Sequence, residues 1–278
     1  MFIKKFDEIR KNILYADKIS ILDLNNKIKA YKIYEQLLDQ ISKVYHYPNG
    51  YIRGELRQKI WDLEKYFGWN DFYFSQSGQD KIIKEVFFRN KKNGFFVEIG
   101  AFDGIIGSNC FYFEKYLNWD GIAVEASEIQ FAKLKKNRKC KCFNNVISDK
   151  VENVEFVEVL EGYVQMSGIN SHSYRKTLEV INGNAQNKIQ NYSTTTITFN
   201  DIVQDNKNID YLSVDIEGSE LQVLNSINFD DYEIKVLSLE NNDQKEINFN
   251  KLLQDSGFIY FDTIGVDEIF YNKKYYNF

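Results

Sequence analysis

The sequence predicts an α/β fold in which helices flank a mostly parallel sheet, preceded by a helical region. Short apolar runs alternate with helical patterns, at residues 95–99, 122–124, 209–214 and 234–239. Runs of this length and composition suit parallel strands that are buried on both faces. Two further runs, 258–261 and 268–271, are joined through Gly265 and predict an antiparallel hairpin at the end of the chain. A strand near 140–146 and a helix over 246–254 are also predicted.

Composition narrows the class of protein. The 278 residues are 44% hydrophobic and 27% charged, which is typical of a globular chain that needs no disulfides. The formal net charge of −5 argues against nucleic-acid binding, which requires clustered basic side chains. The local basic run from Lys133 to Lys141, which includes Arg138, is interpreted as the solvated face of a helix, and a patch for an acidic substrate is the alternative.

Two features of the sequence bear on where the protein is located in the cell. No run of 18 apolar residues occurs and residues 1–10 lack a signal-peptide core, so we expect a cytoplasmic protein without a membrane span. Cys110, Cys140 and Cys142 do not match zinc-site spacing, and reduced thiols are the simpler interpretation.

Residues 1–70 form the predicted helical region, and residues 71–278 form the α/β domain. Apolar side chains recur at helical spacing from Tyr31 to Ile41. A turn at Pro48-Asn49-Gly50 divides one long helical part from a second helix near 55–67. These helices could cap an active site, dock on a partner or form a homo-oligomer.

A glycine turn follows the first predicted strand, and a carboxylate ends the second. Gly100 and Gly104 lie in the turn, and Glu125 follows Gly104 by 21 positions. In nucleoside-binding βαβ units an acidic residue at about this distance accepts hydrogen bonds from ribose hydroxyls. The Gly-x-x-x-Gly spacing is not that of a pyrophosphate loop, and Glu98 would repel phosphate but suits an ammonium group. S-adenosylmethionine combines a ribose, an adenine and an α-amino group without phosphate.

Four segments together resemble a known family. They are Ser-Gln-Ser-Gly-Gln-Asp at 75–80, Phe-Val-Glu-Ile-Gly-Ala-Phe-Asp-Gly at 96–104, Trp-Asp-Gly-Ile-Ala-Val-Glu at 119–125 and Asp-Tyr-Leu-Ser-Val-Asp-Ile-Glu-Gly-Ser-Glu-Leu at 210–221. Their order and spacing resemble the FkbM family of S-adenosylmethionine-dependent methyltransferases, from about Phe72 to the end of the chain. The resemblance implies a class I methyltransferase, Rossmann-like fold with an antiparallel C-terminal hairpin. It also implies O-methyl transfer to a small-molecule or carbohydrate acceptor, with a sugar or a capsule or lipooligosaccharide precursor as the leading acceptor.

The resemblance also implies roles for individual residues. Asp215 is expected at the reaction centre. Ser148 and Asp149 occupy the position that commonly binds the adenine amine, although a simple turn is the alternative. The full set expected to hold the methyl donor is Gln79, Glu98, Gly100, Ala101, Asp103, Gly104, Ser108, Asn109, Glu125, Ala126, Ser148, Asp149 and Asp215.

Two questions about the chemistry stay open at this point. Asp215, Glu240 and Asn241 resemble the Mg²⁺ ligands of catechol-type methyltransferases, although capping of the following helix also explains Glu240 and Asn241. The polar stretch 161–196 is interpreted as substrate-binding loops, and its His172 is a candidate general base beside Asp215. A surface position is the alternative for His172.

Two other functions compete with methyl transfer. An NAD-dependent sugar-modifying oxidoreductase would share the βαβ start, but it should carry Gly-x-Gly-x-x-Gly and a Tyr-x-x-x-Lys pair, a combination not found here. A non-catalytic scaffold with a vestigial methyltransferase fold is the second alternative. The intact set of carboxylates and glycines argues against it.

Overall fold

The computed structural model describes residues 24–45, 50–242 and 247–277. The predicted turn at Pro48 lies outside these ranges, as does the start of the helix predicted over 246–254.

The centre of the fold is a seven-stranded sheet with the strand order β10-β11-β9-β8-β1-β2-β3. Strands β3, β2, β1, β8 and β9 are mutually parallel, whereas β11 pairs antiparallel with both β9 and β10. The predicted class, a mostly parallel sheet with an antiparallel C-terminal hairpin, is confirmed. The strands are β1 Phe95–Ile99, β2 Asp120–Val124, β3 Lys141–Phe143, β8 Asn208–Val214, β9 Glu233–Glu240, β10 Phe258–Ile264 and β11 Asp267–Asn272.

Helices cover the sheet on both faces and bury its apolar residues. Val97 and Leu212 belong to one core cluster, and Phe96 and Val236 belong to another on the opposite face. Burying such a side chain contributes roughly 1.5–3 kcal/mol. The helices are α1 Leu24–Val44, α2 Gly50–Tyr66, α3 Gln79–Ile83 with a π-turn at Lys84–Phe88, α4 Phe111–Leu117, α5 Glu128–Asn137, α6 Arg175–Asn182, α7 Phe199–Val203, α8 Glu220–Ser226 and α9 Phe249–Leu253.

A second sheet of four strands, in the order β4-β7-β5-β6, corrects two predictions. Its strands are β4 Val146–Ile147, β5 Asn153–Glu161, β6 Gly168–Ile169 and β7 Lys188–Ile197. The single strand predicted over 140–146 is wrong, because the Asn144 amide donates to the carbonyls of Glu125 and Ala126 and separates β3 from β4. The stretch 161–196 contains β6, α6 and most of β7, not loops alone, because polar β7 pairs with β5 over most of its length.

Helices α1 and α2 pack against each other through an apolar cluster that includes Ile33, Leu37 and Leu56. Helix α2 also contacts the C-terminal hairpin. The Arg53 Nε atom donates to Asp262 Oδ1 at 2.7 Å, and both side chains are buried. A Cβ atom added at Gly54 would lie 2.1 Å from the carbonyl oxygen of Gly265, so the helix and the hairpin are in backbone contact. Among the described helices, none is long and apolar enough to cross a membrane.

Candidate active site

A cavity of about 440 Å³ lies at the carboxyl ends of β1, β2, β8 and β9. This volume is within the range of small-ligand sites, and this edge is where open α/β sheets bind ligands. The second sheet and the turn before β6 form a roof over it. The roof residues are Phe156, Val164, Gln165, Met166, Ser167, Gly168 and Ile169.

The glycine turn joins the tips of three strands. Gly100 has a φ of +89°, and a Cβ atom there would lie 1.7 Å from the carbonyl oxygen of Asp215. Its N–H donates to Val124 at 3.0 Å, while the N–H of Asp215 donates to Ile99 at 3.0 Å. Only glycine permits this approach. The turn therefore sets the distance between the end of β2 and the end of β8.

Glu125 begins the segment after β2 and lines the cavity. Its two carboxylate oxygens accept hydrogen bonds from the backbone N–H groups of Phe102 and Ser127, each at 2.8 Å. Burial raises the pKa of Glu125 to about 7, and these two hydrogen bonds oppose the shift. The side chain is thus fixed in place and retains lone pairs for a ligand.

Three carboxylates meet at the other end of the cavity. Asp215, Glu217 and Glu240 each offer an oxygen, and these atoms lie within 4.8 Å of one another. Burial and mutual repulsion raise the pKa values of Asp215 and Glu240 well above their usual range, and burial raises that of Glu217 to about 7. Glu240 is 9% exposed, and its Oε2 atom has no hydrogen-bond partner among the described residues. A cluster of this kind suits a bound cation or a shared proton.

The turn that carries Glu217 is held by a fourth carboxylate. Glu220 Oε1 accepts from the N–H groups of Ile216 and Gly218, each at 3.0 Å. Glu217 itself has a φ of +56°, an uncommon conformation for a residue with a side chain. The Asp-Ile-Glu-Gly-Ser-Glu segment thus places Asp215 and Glu217 on the same cavity wall.

The structure brings some of the predicted site residues together on the wall of the cavity. The residues on the cavity wall are Gly100, Ala101, Ser108, Glu125, Ala126, Asp215 and Glu240. The other predicted residues lie off that wall: Gln79, Glu98, Asp103, Gly104, Asn109, Ser148, Asp149, His172 and Asn241.

Glu98 has charged and polar protein partners. Its carboxylate accepts from Ser108 Oγ at 2.8 Å, from the N–H of Cys110 at 3.1 Å and from Arg138 Nη1 at 2.7 Å. The side chain of Arg138 has no exposed surface and also binds Glu114. The interpretation of Arg138 as part of a solvated face is therefore wrong, and the geometry gives Glu98 a supporting role beneath the glycine turn.

Four more residues support the walls. Asp103 Oδ1 accepts from the N–H groups of Ile105 and Ile106, at 2.9 and 2.8 Å. A Cβ atom at Gly104 would lie 2.7 Å from Leu134 Cδ1. Gln79 Oε1 accepts from the N–H of Ser77, and Asn109 Nδ2 donates to Ser213 Oγ.

Ser148 and Asp149 lie beyond β4 and away from the cavity. The N–H of Ser148 donates to Ile197, and its hydroxyl donates to Asp149. Because β4 pairs with β7, Ser148 and Asp149 do not line the cavity. The residues of this segment that do line it are Asn145, Val146 and Ile147. Neither Ser148 nor Asp149 is therefore on the cavity wall.

His172 and Asn241 also differ from their predicted places. His172 is exposed, and a Cβ atom added at Gly218 would lie 3.5 Å from the backbone of its neighbour Ser173. The Asn241 amide donates to Glu268 Oε1 at 3.0 Å and to the Ile247 carbonyl at 3.3 Å, so Glu217 takes its place in the cluster. The position of Glu217 two residues after Asp215 was the sequence signal that could have identified it, whereas no motif marked the roof residues.

Comparisons with solved structures show only distant likeness. Methyltransferase FkbM from Methylobacillus flagellatus KT matches at 9% identity and a TM-score of 0.45 over 85% of this chain, which spans 58% of the length of that protein. The human methyltransferase 10 domain containing protein matches at 11% identity and a TM-score of 0.35, covering 75% of this chain and 80% of that one. A SAM dependent methyltransferase from Aquifex aeolicus matches at 15% identity and a TM-score of 0.31, covering 69% and 86%.

No curated protein matches the chain. The family model for the methyltransferase FkbM domain matches residues 98–266, which is more than half of the sequence and includes the glycine turn, Glu125, the carboxylate cluster and the roof. The chain belongs to the FkbM methyltransferase family.

Proposed function

We propose that the chain transfers a methyl group from S-adenosylmethionine to a hydroxyl of a sugar or of a surface-polysaccharide precursor. Family membership supports methyl transfer. The observation that carries the proposal is the placement of Gly100, Glu125 and Asp215 on one cavity wall. When bound, the donor supplies an activated methyl group on a positively charged sulfur.

The polar and apolar groups that line the cavity fit S-adenosylmethionine. Glu125 can accept from two ribose hydroxyls, and Val146 and Ile147 provide an apolar surface beside it for adenine. The turn at Gly100 and Ala101 exposes backbone for close approach. Asp215 directly follows β8, and β8 is two strands from β2, which corresponds to about 10 Å across the sheet. The negative cluster there complements the positive end of the donor.

The protein's own contribution is to orient the acceptor and to accept a proton. Asp215 lines the cavity and is the leading candidate to hold the acceptor hydroxyl and to remove its proton. His172 is the second candidate, because its neighbour Ser173 lies near Gly218, the residue that follows Glu217. The roof residues from Val164 to Ile169 would contact the acceptor.

Calorimetry tests the donor assignment without knowledge of the acceptor. We expect S-adenosylmethionine and S-adenosylhomocysteine to bind and NAD not to bind. Glu125→Gln should weaken binding, whereas Asp149→Asn, at an exposed residue away from the cavity, should leave it unchanged. Absence of binding by both adenosyl compounds would overturn the proposal, and binding of NAD alone would support an oxidoreductase.

The affinity for the donor should depend on pH through Glu125. Because its pKa is raised to about 7, the carboxyl binds a proton below that pH and loses its capacity to accept from both ribose hydroxyls. Affinity should therefore fall as pH decreases from 7 to 5.5, by up to roughly tenfold per pH unit. Calorimetry across this range should show a shallower slope in Glu125→Gln than in the wild type, with the remaining slope due to Glu217, whose pKa is also raised to about 7. An unchanged slope in the variant would assign the whole dependence to another group.

The carboxylate cluster also supports a bound divalent cation, with Asp215, Glu217 and Glu240 as oxygen ligands and Mg²⁺ as the leading ion. Treatment with a chelator should then reduce methyl transfer, and added Mg²⁺ should restore it. Mn²⁺ titration followed by electron paramagnetic resonance should show one site, weakened at least roughly tenfold by Glu217→Gln. Glu161→Gln, at an exposed carboxylate, serves as the control. Full activity in chelator would instead favour a shared proton in the cluster.

The N-terminal helices support a proposed homo-oligomer. Ile28, Tyr31 and Leu38 lie at helical spacing on α1 and are 50%, 46% and 42% exposed. Light scattering should give the mass of more than one chain, and Leu38→Glu should reduce it to that of one.

The proposed compartment is the cytoplasm, where the three free cysteines would remain reduced.

A further inference from the structure

Helix α2 contacts the C-terminal hairpin along one of its faces. Arg53 and Arg57 both donate to the carboxylate of Asp262 on β10. In the turn between β10 and β11, the N–H of Gly265 donates to the carbonyl of Gly54 at 3.2 Å. Separation of helix and hairpin would leave these buried groups without partners, which is costly. The position of α2 therefore fixes the position of the hairpin turn.

The same helix contacts the segment that precedes α3. Ser77 Oγ donates to Gln58 Oε1, and Gln58 Nε2 donates to the carbonyl of Gln76 at 3.2 Å. This segment also lies against the hairpin turn, since a Cβ atom added at Gly265 would lie 2.3 Å from Ser77 Oγ. Helix α2 thus holds the segment and the hairpin turn against each other.

Both of these segments reach the cavity. Gln76 and Val266 line it, whereas none of its described lining residues belongs to α2. The carbonyl of Val266 accepts from the N–H of Asn241 at 3.2 Å, and Asn241 directly follows Glu240 of the carboxylate cluster. Helix α2 can therefore influence this end of the cavity only through the two segments that it holds.

We infer that α2 is a positioning element of the methyl-donor site. By holding Gln76 and Val266 in place, it fixes the cavity wall beside Glu240, where the amino-acid end of the donor would lie. The inference rests on the proposed function. The match to the family model begins at residue 98, after α2, so family membership assigns no role to this helix. A helix outside the family domain would then contribute to donor affinity.

Gly54→Ala in the full chain tests this role. The added methyl group would lie 2.1 Å from the carbonyl oxygen of Gly265, so the helix must move away from the hairpin, although alanine itself favours a helix. Calorimetry should show that the affinity for S-adenosylhomocysteine falls by roughly tenfold, because a site that is about 1 Å too loose loses its ligand contacts. The affinity for methylthioadenosine, which lacks the amino-acid end, should change much less, because Glu125 follows β2, three strands from β9 and Glu240.

Gln58→Ala is a second variant that places no new atom between the helix and the hairpin. It removes both hydrogen bonds to the segment before α3, and the chain should fold even if Gly54→Ala does not. The affinity for S-adenosylhomocysteine should fall by roughly two- to tenfold, the range expected for one hydrogen bond.

Leu56→Ala is the matched control on the same helix. Leu56 is fully buried in the cluster between α1 and α2, so its truncation should lower the melting temperature without moving α2 on the hairpin. Below that temperature the variant should bind S-adenosylhomocysteine like the wild type. Wild-type affinity in Gln58→Ala and in folded Gly54→Ala would overturn the inference, and so would an equal loss of affinity in Leu56→Ala. Failure of the wild type to bind S-adenosylhomocysteine would instead contradict the proposed function.

Discussion

Replacement of Asp215 by asparagine is expected to lower kcat by roughly 10²–10⁴-fold, the usual contribution of a positioned acid or base. The asparagine amide keeps the size of the side chain but cannot remove a proton from the acceptor hydroxyl. Donor affinity should change much less, because Glu125 and the glycine turn remain. Single-turnover methyl transfer and calorimetry on the same preparation separate the two effects.

The stability of the Asp215→Asn variant distinguishes lost chemistry from lost folding. Glu217 and Glu240 lie close to Asp215, so removing one negative charge relieves repulsion in the cluster. The melting temperature should stay the same or rise. Asp149→Asn is the matched control, with turnover close to wild type. Normal turnover in Asp215→Asn would exclude Asp215 as the proton acceptor and leave His172 as the next candidate.

Replacement of Arg138 by methionine is expected to destabilise the fold by roughly 3–5 kcal/mol. The guanidinium binds Glu98 Oε2 and Glu114 Oε2, each at 2.7 Å, and the carboxylate side chains are only 3% and 6% exposed. The methionine would leave two buried carboxylates without their counter-charge. Denaturant unfolding followed by circular dichroism measures the loss of unfolding free energy.

An exposed ion pair provides the control for Arg138. Lys188 Nζ lies 2.6 Å from Glu161 Oε1, with side chains 66% and 58% exposed. Lys188→Met should cost no more than about 1 kcal/mol, because water screens such a pair. Adding Glu98→Gln and Glu114→Gln to Arg138→Met should recover part of the lost stability. A cost for Arg138→Met as small as that of Lys188→Met would show that the buried pairs contribute little.

The class of fold and the positions of the strand tips were predictable from local patterns in the sequence. Apolar runs such as Phe95–Ile99 and Asn208–Val214 are local patterns, and burial on both faces leaves them one stable role in a parallel sheet. Glu125 directly follows β2 and Asp215 directly follows β8, so their location at one edge of the sheet was predictable. The strand order then places the two carboxylates on the wall of one cavity.

Which polar side chains enter the cavity depends on contacts between residues that are far apart in the sequence. Glu98 and Arg138 are 40 positions apart and pair beneath the glycine turn, which no local pattern predicts. Glu217 enters the carboxylate cluster because Glu220 holds its turn, whereas Asn241 is drawn toward Glu268. Polar β7 becomes part of a second sheet only through its pairing with β5. In each case a partner distant in sequence decides the direction of the side chain or strand, because a buried polar group adopts the arrangement that satisfies its hydrogen bonds.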